Sequence, residues 1–479
     1  MNLYSRLAYL ARYQAAKTAV EHSDRHLTYH DLDQLARRIA GRLRLSGVGQ
    51  GDVVGVLLRE TPEHVAALFV IMRLGAIVLP LDWRGTRAEF DRITTLFRPK
   101  VILNDDSPLL DWSPAMVGLA EMHDAEADTE TAEVTDRPMG FSLTSGSTGA
   151  PKAMIVTHEQ LYARCAARAI EGVFERGDRF LATLPLAYAA GREHAICLIL
   201  LGATLVLFPP LFEPQGLVTF VNDGDITAVS LSPNMSRALL AMKEQGEPLL
   251  MPNLRTIVST TGKLLPEERA QLRARVAPRV IDYYGSTGTG PIAISTGDEP
   301  DSEPTAAGRC VVGIEIEIAD DAGRPVPQGE IGRIRVRGPA ITTDVVGGEG
   351  SEEEGFRDGW YYTGDLASIG PGGILHLHGR SADLIKRGGL MIHAQEVEGV
   401  LRRLPSVVDA AVVGAPCAEL GQKVVAFVVT RSPVEAKEII RRCRRELAPF
   451  KVPCRVHMLD SLPRNPNGKL LKSELLKHL

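Results

Sequence analysis

The chain has 479 residues, 44% of them apolar and 24% charged, with a formal net charge of −5 at neutral pH. Such a length exceeds what one hydrophobic core organises, so two or more domains are expected. The composition is that of a soluble globular protein, and the mild negative charge argues against a dedicated nucleic-acid binder.

Taken in order, the first residues, MNLYSRLAYLARYQ, have no apolar core of signal-peptide length. Residues 28–43 carry Leu32, Leu35, Ala36, Ile39, Ala40 and Leu43 at helical spacing, with Thr28 and Asp31 as a capping box. A strand is expected at 53–58. Thr61-Pro62 opens a second helix, with Val65, Leu68, Phe69 and Met72 on one face and Gly75 at its end. Strands at 77–81 and 101–104 flank a helix at 86–97, and this alternation predicts a doubly wound α/β domain. Residues 105–138 read as an acidic, loop-like bridge.

The bridge leads into FSLTSGSTGAPKAMIVTH, residues 141–158. Thr144, Ser145, Gly146, Ser147, Thr148 and Gly149 precede Lys152, framed by apolar residues. Hydroxyls, accessible backbone N–H groups and one ammonium make a donor surface suited to phosphate oxygens. The Walker A spacing is absent, and the framing apolar residues argue against a plain Ser/Gly linker.

Beyond Lys152 a helix is expected at 159–172 and a strand at 180–184. The apolar run 195–208 is too short to span a bilayer and reads as a buried helix feeding a strand. Further buried strands are expected at 228–231, 256–259 and 280–283. Ile314, Ile316, Ile318, Ile334 and Val336 alternate with polar residues, as in a half-exposed antiparallel sheet. Residues 347–360 read as a solvated acidic loop. After a boundary near 379–383, strands at 407–413 and 423–429 and a helix at 434–447 suffice for a small α+β domain. Arg441, Arg442, Arg444 and Arg445 on that helix read as a solvated face. The six cysteines (Cys165, Cys197, Cys310, Cys417, Cys443, Cys454) form no C-x-x-C pair, so reduced, mostly buried thiols in a cytoplasmic protein are expected.

Six segments carry a resemblance: TSGSTGAPK (144–152), YYGSTG (283–288), GEIGRIRVRGP (329–339), WYYTGDLA (360–367), GRSADLIKRGGLMIHAQEVE (379–398) and PRNPNGKL (463–470). In this order they resemble the adenylate-forming superfamily of acyl-CoA synthetases, adenylation domains and luciferases. The resemblance implies a large N-terminal domain of doubly wound α/β sheets with a small β subdomain at 1–380. A small mobile α+β C-terminal domain follows at 381–479, with a hinge near Ala382. It also implies a two-step reaction. A carboxylate attacks the α-phosphorus of ATP, releasing pyrophosphate, and a thiol or amine then displaces AMP. Two anions must meet, so fixed donors and cations are expected to dominate catalysis.

In these roles Thr144, Ser145, Gly146, Ser147, Thr148, Gly149 and Lys152 would hold the β- and γ-phosphates. Tyr284 would stack on adenine within the segment Asp282, Tyr283, Gly285 and Ser286, with Asp282 near the adenine amino group. Thr287 would bind the α-phosphate. Asp365 would accept both ribose hydroxyls, reinforced by Arg380. Lys469, after the Asn467-Gly468 turn, would bridge carboxylate and phosphate as they react. Lys386, Arg387, Gly388 and Gly389 would line the tunnel for the pantetheine arm of coenzyme A. The acyl pocket is expected around Tyr188, Ala189, Ala190, Gly191 and Gly262. No acid sits at 188–191, so an aryl or medium acyl acid is expected rather than an α-amino acid. Arg192 and Lys263 read as surface groups, able to attract a second anionic group on the substrate.

One position departs from the family pattern. Gly288 stands where relatives place a Glu that contributes to the Mg²⁺ site. Water, another carboxylate or impaired adenylation are the three outcomes, water being favoured. The resemblance thus implies a coenzyme A ligase using ATP and Mg²⁺, acting as monomer or homodimer without a membrane span. A ligase passing the acyl group to an amine or carrier protein, and a non-catalytic nucleotide-binding relative, are the alternatives.

Overall fold

The computed structural model describes residues 2–105, 115–130, 137–145, 151–208, 213–242, 248–262, 264–297, 303, 305–347, 354–464 and 470–479. Helix Tyr29–Leu45 begins where the sequence places it. Thr28 Oγ1 accepts from the Asp31 N–H, and the Asp31 carboxylate accepts from the Thr28 N–H. Helix Pro62–Leu74 is capped by Thr61 and closed by Gly75. One apolar face was expected of it, yet every residue is buried, including Glu63, His64 and Arg73. It packs against helices Tyr4–Tyr13, Tyr29–Leu45 and Ala189–Leu201, so a helix enclosed on all sides replaces an amphipathic one. Its charges are paired: Glu63 with Arg25 at 2.6 Å and Arg73 with Asp128 at 3.3 Å.

Strands Val53–Leu57, Ile77–Pro80, Val101–Asn104 and Ala115–Val117 run parallel. Ile77–Pro80 joins them to the antiparallel hairpin Pro138–Ser145 and Pro151–Thr157. Residues 105–138 are therefore more than a loop, since they contribute Ala115–Val117 and helix Leu119–Asp124. A second sheet has fourteen strands among the described residues. Thr18–His22, Thr204–Leu207, Arg179–Ala182, Ala228–Leu231, Thr256–Ser259 and Val280–Ser286 run parallel. Strand Val280–Ser286 is also the first antiparallel one, pairing with Gly290–Ser295. The sheet continues antiparallel through Ala306–Cys310, Ile374–Arg380, Trp360–Ile369, Gly332–Arg337 and Glu315–Ala319. The acidic segment at 347–360 is not all solvated loop, because Glu354–Arg357 pairs with Trp360–Ile369.

The C-terminal domain is a five-stranded sheet with helices Ala394–Arg402 and Ala436–Glu446 packed on it. Buried apolar clusters reach Leu375 in the large domain and begin at Ile385 in the small one. Arg441 and Arg442 pair with Glu438 on an exposed face, as expected. Among the described residues no helix is long and apolar enough to cross a membrane.

The cysteines correct the expectation of reduced, mostly buried thiols. Cys165 and Cys197 form a disulfide joining helices His158–Ile170 and Ala189–Leu201. Packing of the two helices places the Cα atoms 5.1 Å apart, inside the window a disulfide requires. A separation of 32 residues hides the pair from sequence spacing. Cys310 and Cys454 are exposed.

Candidate active site

The site lies where Val280–Ser286 turns the sheet from parallel to antiparallel, at the carboxyl ends of the parallel strands. Cross-strand register does most of the assembly. Asp365 stands opposite Arg380 and Glu354 opposite Thr363. Arg380 Nε meets Asp365 Oδ1 at 3.0 Å, and its Nη1 meets Glu354 Oε2 at 3.2 Å. The Tyr284 hydroxyl donates to Asp365 Oδ2 at 2.5 Å and lies 3.1 Å from Thr363 Oγ1. Arg380 and the Tyr284 hydroxyl each hold one Asp365 oxygen, the Thr363 side chain adds a further hydrogen bond, and a carboxylate's remaining lone pairs suit a diol. Burial pushes the Asp365 carboxyl above its ordinary value, against the pull of Arg380 and the Tyr284 hydroxyl. Burial, followed by the Asp365 charge, drives the Tyr284 phenol well above its own.

Alternation along Val280–Ser286 turns the adjacent Tyr283 side chain to the opposite face. Tyr283 Oη is 2.6 Å from His194 Nε2. Asp282 pairs with Arg269 at 3.4 Å in the interior. Gly285 allows a close crossing, because a Cβ there would lie 2.1 Å from the Gly290 carbonyl oxygen. Residues 287–289 form the turn, tied by the Ser286 N–H donating to Thr289 Oγ1 at 2.9 Å. The Thr287 and Gly288 carbonyls accept from Arg164 at 3.3 and 2.9 Å.

Thr144 and Ser145 end strand Pro138–Ser145, where Thr144 stands opposite Lys152 and Ser145 opposite Pro151. Gly146, Ser147, Thr148 and Gly149 lie outside the described residues, as do Lys263 and Lys469. Arg192 is not a surface group, which corrects that expectation. It is 3% exposed, and its guanidinium donates to the carbonyls of Leu186, Ala187 and Phe141 and to Ser142 Oγ. The position fixes this: the first turn of helix Ala189–Leu201 points its side chain under strand Pro138–Ser145.

Tyr188 caps that helix, and Ala189, Ala190 and Gly191 form its first turn. The Tyr188 hydroxyl donates to Asp82 Oδ2 at 2.8 Å, and Asp82 also holds Arg84 at 2.8 Å. Across the strand ends, Thr261 precedes Gly262 with φ of 73°. A β-branched residue in that region stores backbone strain.

In the C-terminal domain Lys386 and Arg387 end strand Leu384–Arg387, and Gly388 and Gly389 form the two-residue turn into Leu390–His393. Both glycines have positive φ, 56° and 81°, as a primed hairpin turn demands. Ala382 lies in the 3₁₀ turn Ser381–Asp383. The adjacent Asp383 pairs with Lys472 at 3.1 Å.

Sequence reasoning missed Glu354, Arg164 and Glu193. The first sat in an acidic run read as solvated; the other two sat in helices with no motif around them. Gly288 decides the question of a carboxylate at that position. A Cβ there would lie 2.6 Å from Met154 Sδ and 3.0 Å from Tyr361 Oη, so a side chain at this position requires Met154 to shift. Among the described residues no group of three His, Cys, Asp or Glu side chains could hold a metal ion. Position 288 itself supplies no side-chain ligand for magnesium.

The AMP-binding enzyme model matches residues 8–344, and the AMP-binding enzyme C-terminal domain model matches residues 396–469. A feruloyl-CoA synthase of Amycolatopsis sp is 30% identical over 477 residues, covering 97% of this chain and 96% of that protein. The fatty acid–acyl-carrier-protein ligase ScoC of Streptomyces coeruleorubidus is 30% identical over 492 residues, covering 97% of this chain and 94% of that protein. The o-succinylbenzoate CoA synthetase MenE of Bacillus subtilis has been solved with its acyl-adenylate intermediate. It superposes with a TM-score of 0.88 at 27% identity, covering 98% of this chain and 97% of that one. The same synthetase with ATP and magnesium ion gives 0.86, at 27% identity and 98% coverage of both chains. With both domains matched in order along nearly the whole length, the chain belongs to the AMP-binding enzyme family.

Proposed function

We propose that the chain activates a carboxylic acid with ATP as the acyl-adenylate, releasing pyrophosphate, and passes the acyl group to coenzyme A with release of AMP. The observation that carries the reading is the Tyr284, Asp365 and Arg380 constellation: an aromatic face beside a half-buried carboxylate oriented by a phenol and a guanidinium. A ribose diol fits the remaining lone pairs and adenine fits the ring. Thr144–Gly149 and Lys152 receive the β- and γ-phosphates, and Thr287 the α-phosphate. Lys469 places its ammonium between the attacking carboxylate and the phosphate, where charge builds. Magnesium, arriving with the nucleotide, neutralises phosphate charge.

The acid enters beside Tyr188, Ala189, Ala190, Gly191 and Gly262. The Asp82–Arg84 pair at the Tyr188 hydroxyl shapes one wall, which suits an aryl or medium acyl acid. Residues 381–479 swivel at Ala382 between the half-reactions, and the Gly388-Gly389 turn then admits the pantetheine arm. The protein acts in the cytoplasm, as a monomer or homodimer. A carrier-protein acceptor is the second reading. It is supported by the ligase ScoC and by Leu390 and Met391, exposed at 47% and 63% beside the glycine turn.

Calorimetric titration with AMP tests the nucleotide site. Asp365→Asn is expected to weaken binding by about 1–3 kcal/mol, because a buried charged acceptor is lost. Unchanged affinity would remove the ribose role. Product mass spectrometry over a panel of aryl and medium-chain acids then reads the acceptor, as acyl-CoA or as acylated carrier protein.

A further inference from the structure

Glu354 is a carboxylate of the nucleotide site that no step of the reaction above uses. It begins strand Glu354–Arg357 and stands opposite Thr363, with Tyr361 two residues away on the same face of the partner strand. Glu354 Oε1 accepts from the Tyr361 hydroxyl at 3.1 Å, and Oε2 accepts from Arg380 Nη1 at 3.2 Å. Arg380 also holds Asp365, so two carboxylates share one guanidinium beside the proposed ribose position. The Glu354 side chain is 29% exposed, so the fold orients it without sealing it in.

The phenol that holds Glu354 also reaches the turn at 287–289. A Cβ on Gly288 would lie 3.0 Å from Tyr361 Oη, and the Ser286 side chain hydrogen-bonds to the same phenol. One phenol oxygen therefore links the Glu354 carboxylate to the place where position 288 offers no side chain. Other acids near this turn are committed elsewhere. Asp282 pairs with Arg269 in the interior at 3.4 Å, and Glu193 is gripped by Arg164 at 2.5 Å and Arg168 at 2.8 Å. Glu354 has only a share of Arg380. A carboxylate so placed repels a polyphosphate unless a cation stands between them, because partly buried charges are screened less than charges in water. Mg²⁺ takes one or two carboxylates from a protein and fills its remaining positions with water and phosphate oxygens. A site of this kind needs one well-aimed carboxylate rather than a cluster of three protein ligands.

We propose that Glu354 supplies, from the neighbouring strand, the carboxylate ligand that position 288 lacks for the Mg²⁺ that accompanies ATP, with the Tyr361 hydroxyl fixing its direction. The inference rests on the nucleotide site proposed above.

Isothermal titration of the full chain with ATP and with AMP, each in excess Mg²⁺ and in EDTA, tests both. In wild type, Mg²⁺ is expected to tighten ATP binding by roughly 10-fold or more. In Glu354→Gln that ratio is expected to fall below roughly 3-fold. The fall comes from weaker binding in Mg²⁺, since ATP in EDTA, relieved of one repelling charge, binds no less tightly than to wild type. AMP affinity in EDTA is expected to stay within roughly 3-fold of wild type. A wild-type ratio near one, or an unchanged ratio in Glu354→Gln, overturns the ligand role and leaves the nucleotide site standing. An equal loss for AMP and for ATP in Mg²⁺ assigns Glu354 to holding Arg380 and overturns it too. If wild type binds neither nucleotide in either buffer, the nucleotide site fails and the inference with it. Should Glu354→Gln not fold, Glu354→Ala is read in the same way, with the ratio again expected below roughly 3-fold.

Discussion

Position 288 shows what a single residue can decide. From the sequence, Gly288 is a missing ligand with the gap left for water or another carboxylate. In the fold Met154 Sδ and Tyr361 Oη crowd the place a Cβ would occupy, so a side chain there has to displace Met154. Gly288→Glu is therefore expected to destabilise the protein by about 1–3 kcal/mol, the usual range for overpacking. Urea unfolding measures it, and Met154→Ala in the same chain should recover part of the loss. An unaltered unfolding midpoint would mean the turn opens freely. The sequence spoke clearly at this scale where a motif forces a backbone shape, as with the helix starts at Thr28 and Thr61 and the helix end at Gly75. It said little where a role depends on a distant partner. Arg192 looked like a surface cation because nothing nearby in sequence reveals the Phe141 carbonyl it serves.

Among the elements, three helices carry histidines that the fold holds neutral. His64, His158 and His194 lie in Pro62–Leu74, His158–Ile170 and Ala189–Leu201, and are each exposed by no more than 1%. Burial lowers their titration points from 6.5 to about 4, about 4 and about 3. The unfolded chain binds protons below pH 6.5 that the folded chain refuses. Stability is thus full above that pH and falls as pH drops through the window towards 4 and 3. Between about pH 7 and about pH 5.5 each histidine should remove about 1 kcal/mol. Urea unfolding at the two pH values reads the sum, and equal stability would contradict it. Element positions were largely legible, because periodicity and caps are local. Strand Glu354–Arg357 was not, since its acidic sequence signals solvent while its pairing depends on Trp360–Ile369.

For the whole molecule, the order of six short segments was enough to indicate two domains and a nucleotide cleft. The sheet that joins them was not legible, because fourteen-strand connectivity is set by packing between distant strands. The site follows from that connectivity: Tyr284 comes from the switch strand, Asp365 and Arg380 from two antiparallel partners. The most direct test of the account is acid-dependent exchange of labelled pyrophosphate into ATP, run over a panel of aryl and medium-chain carboxylic acids. The account predicts exchange that appears only with a matching acid and is lost in Lys469→Ala. Exchange with no acid on the panel, or full exchange in Lys469→Ala, would contradict it.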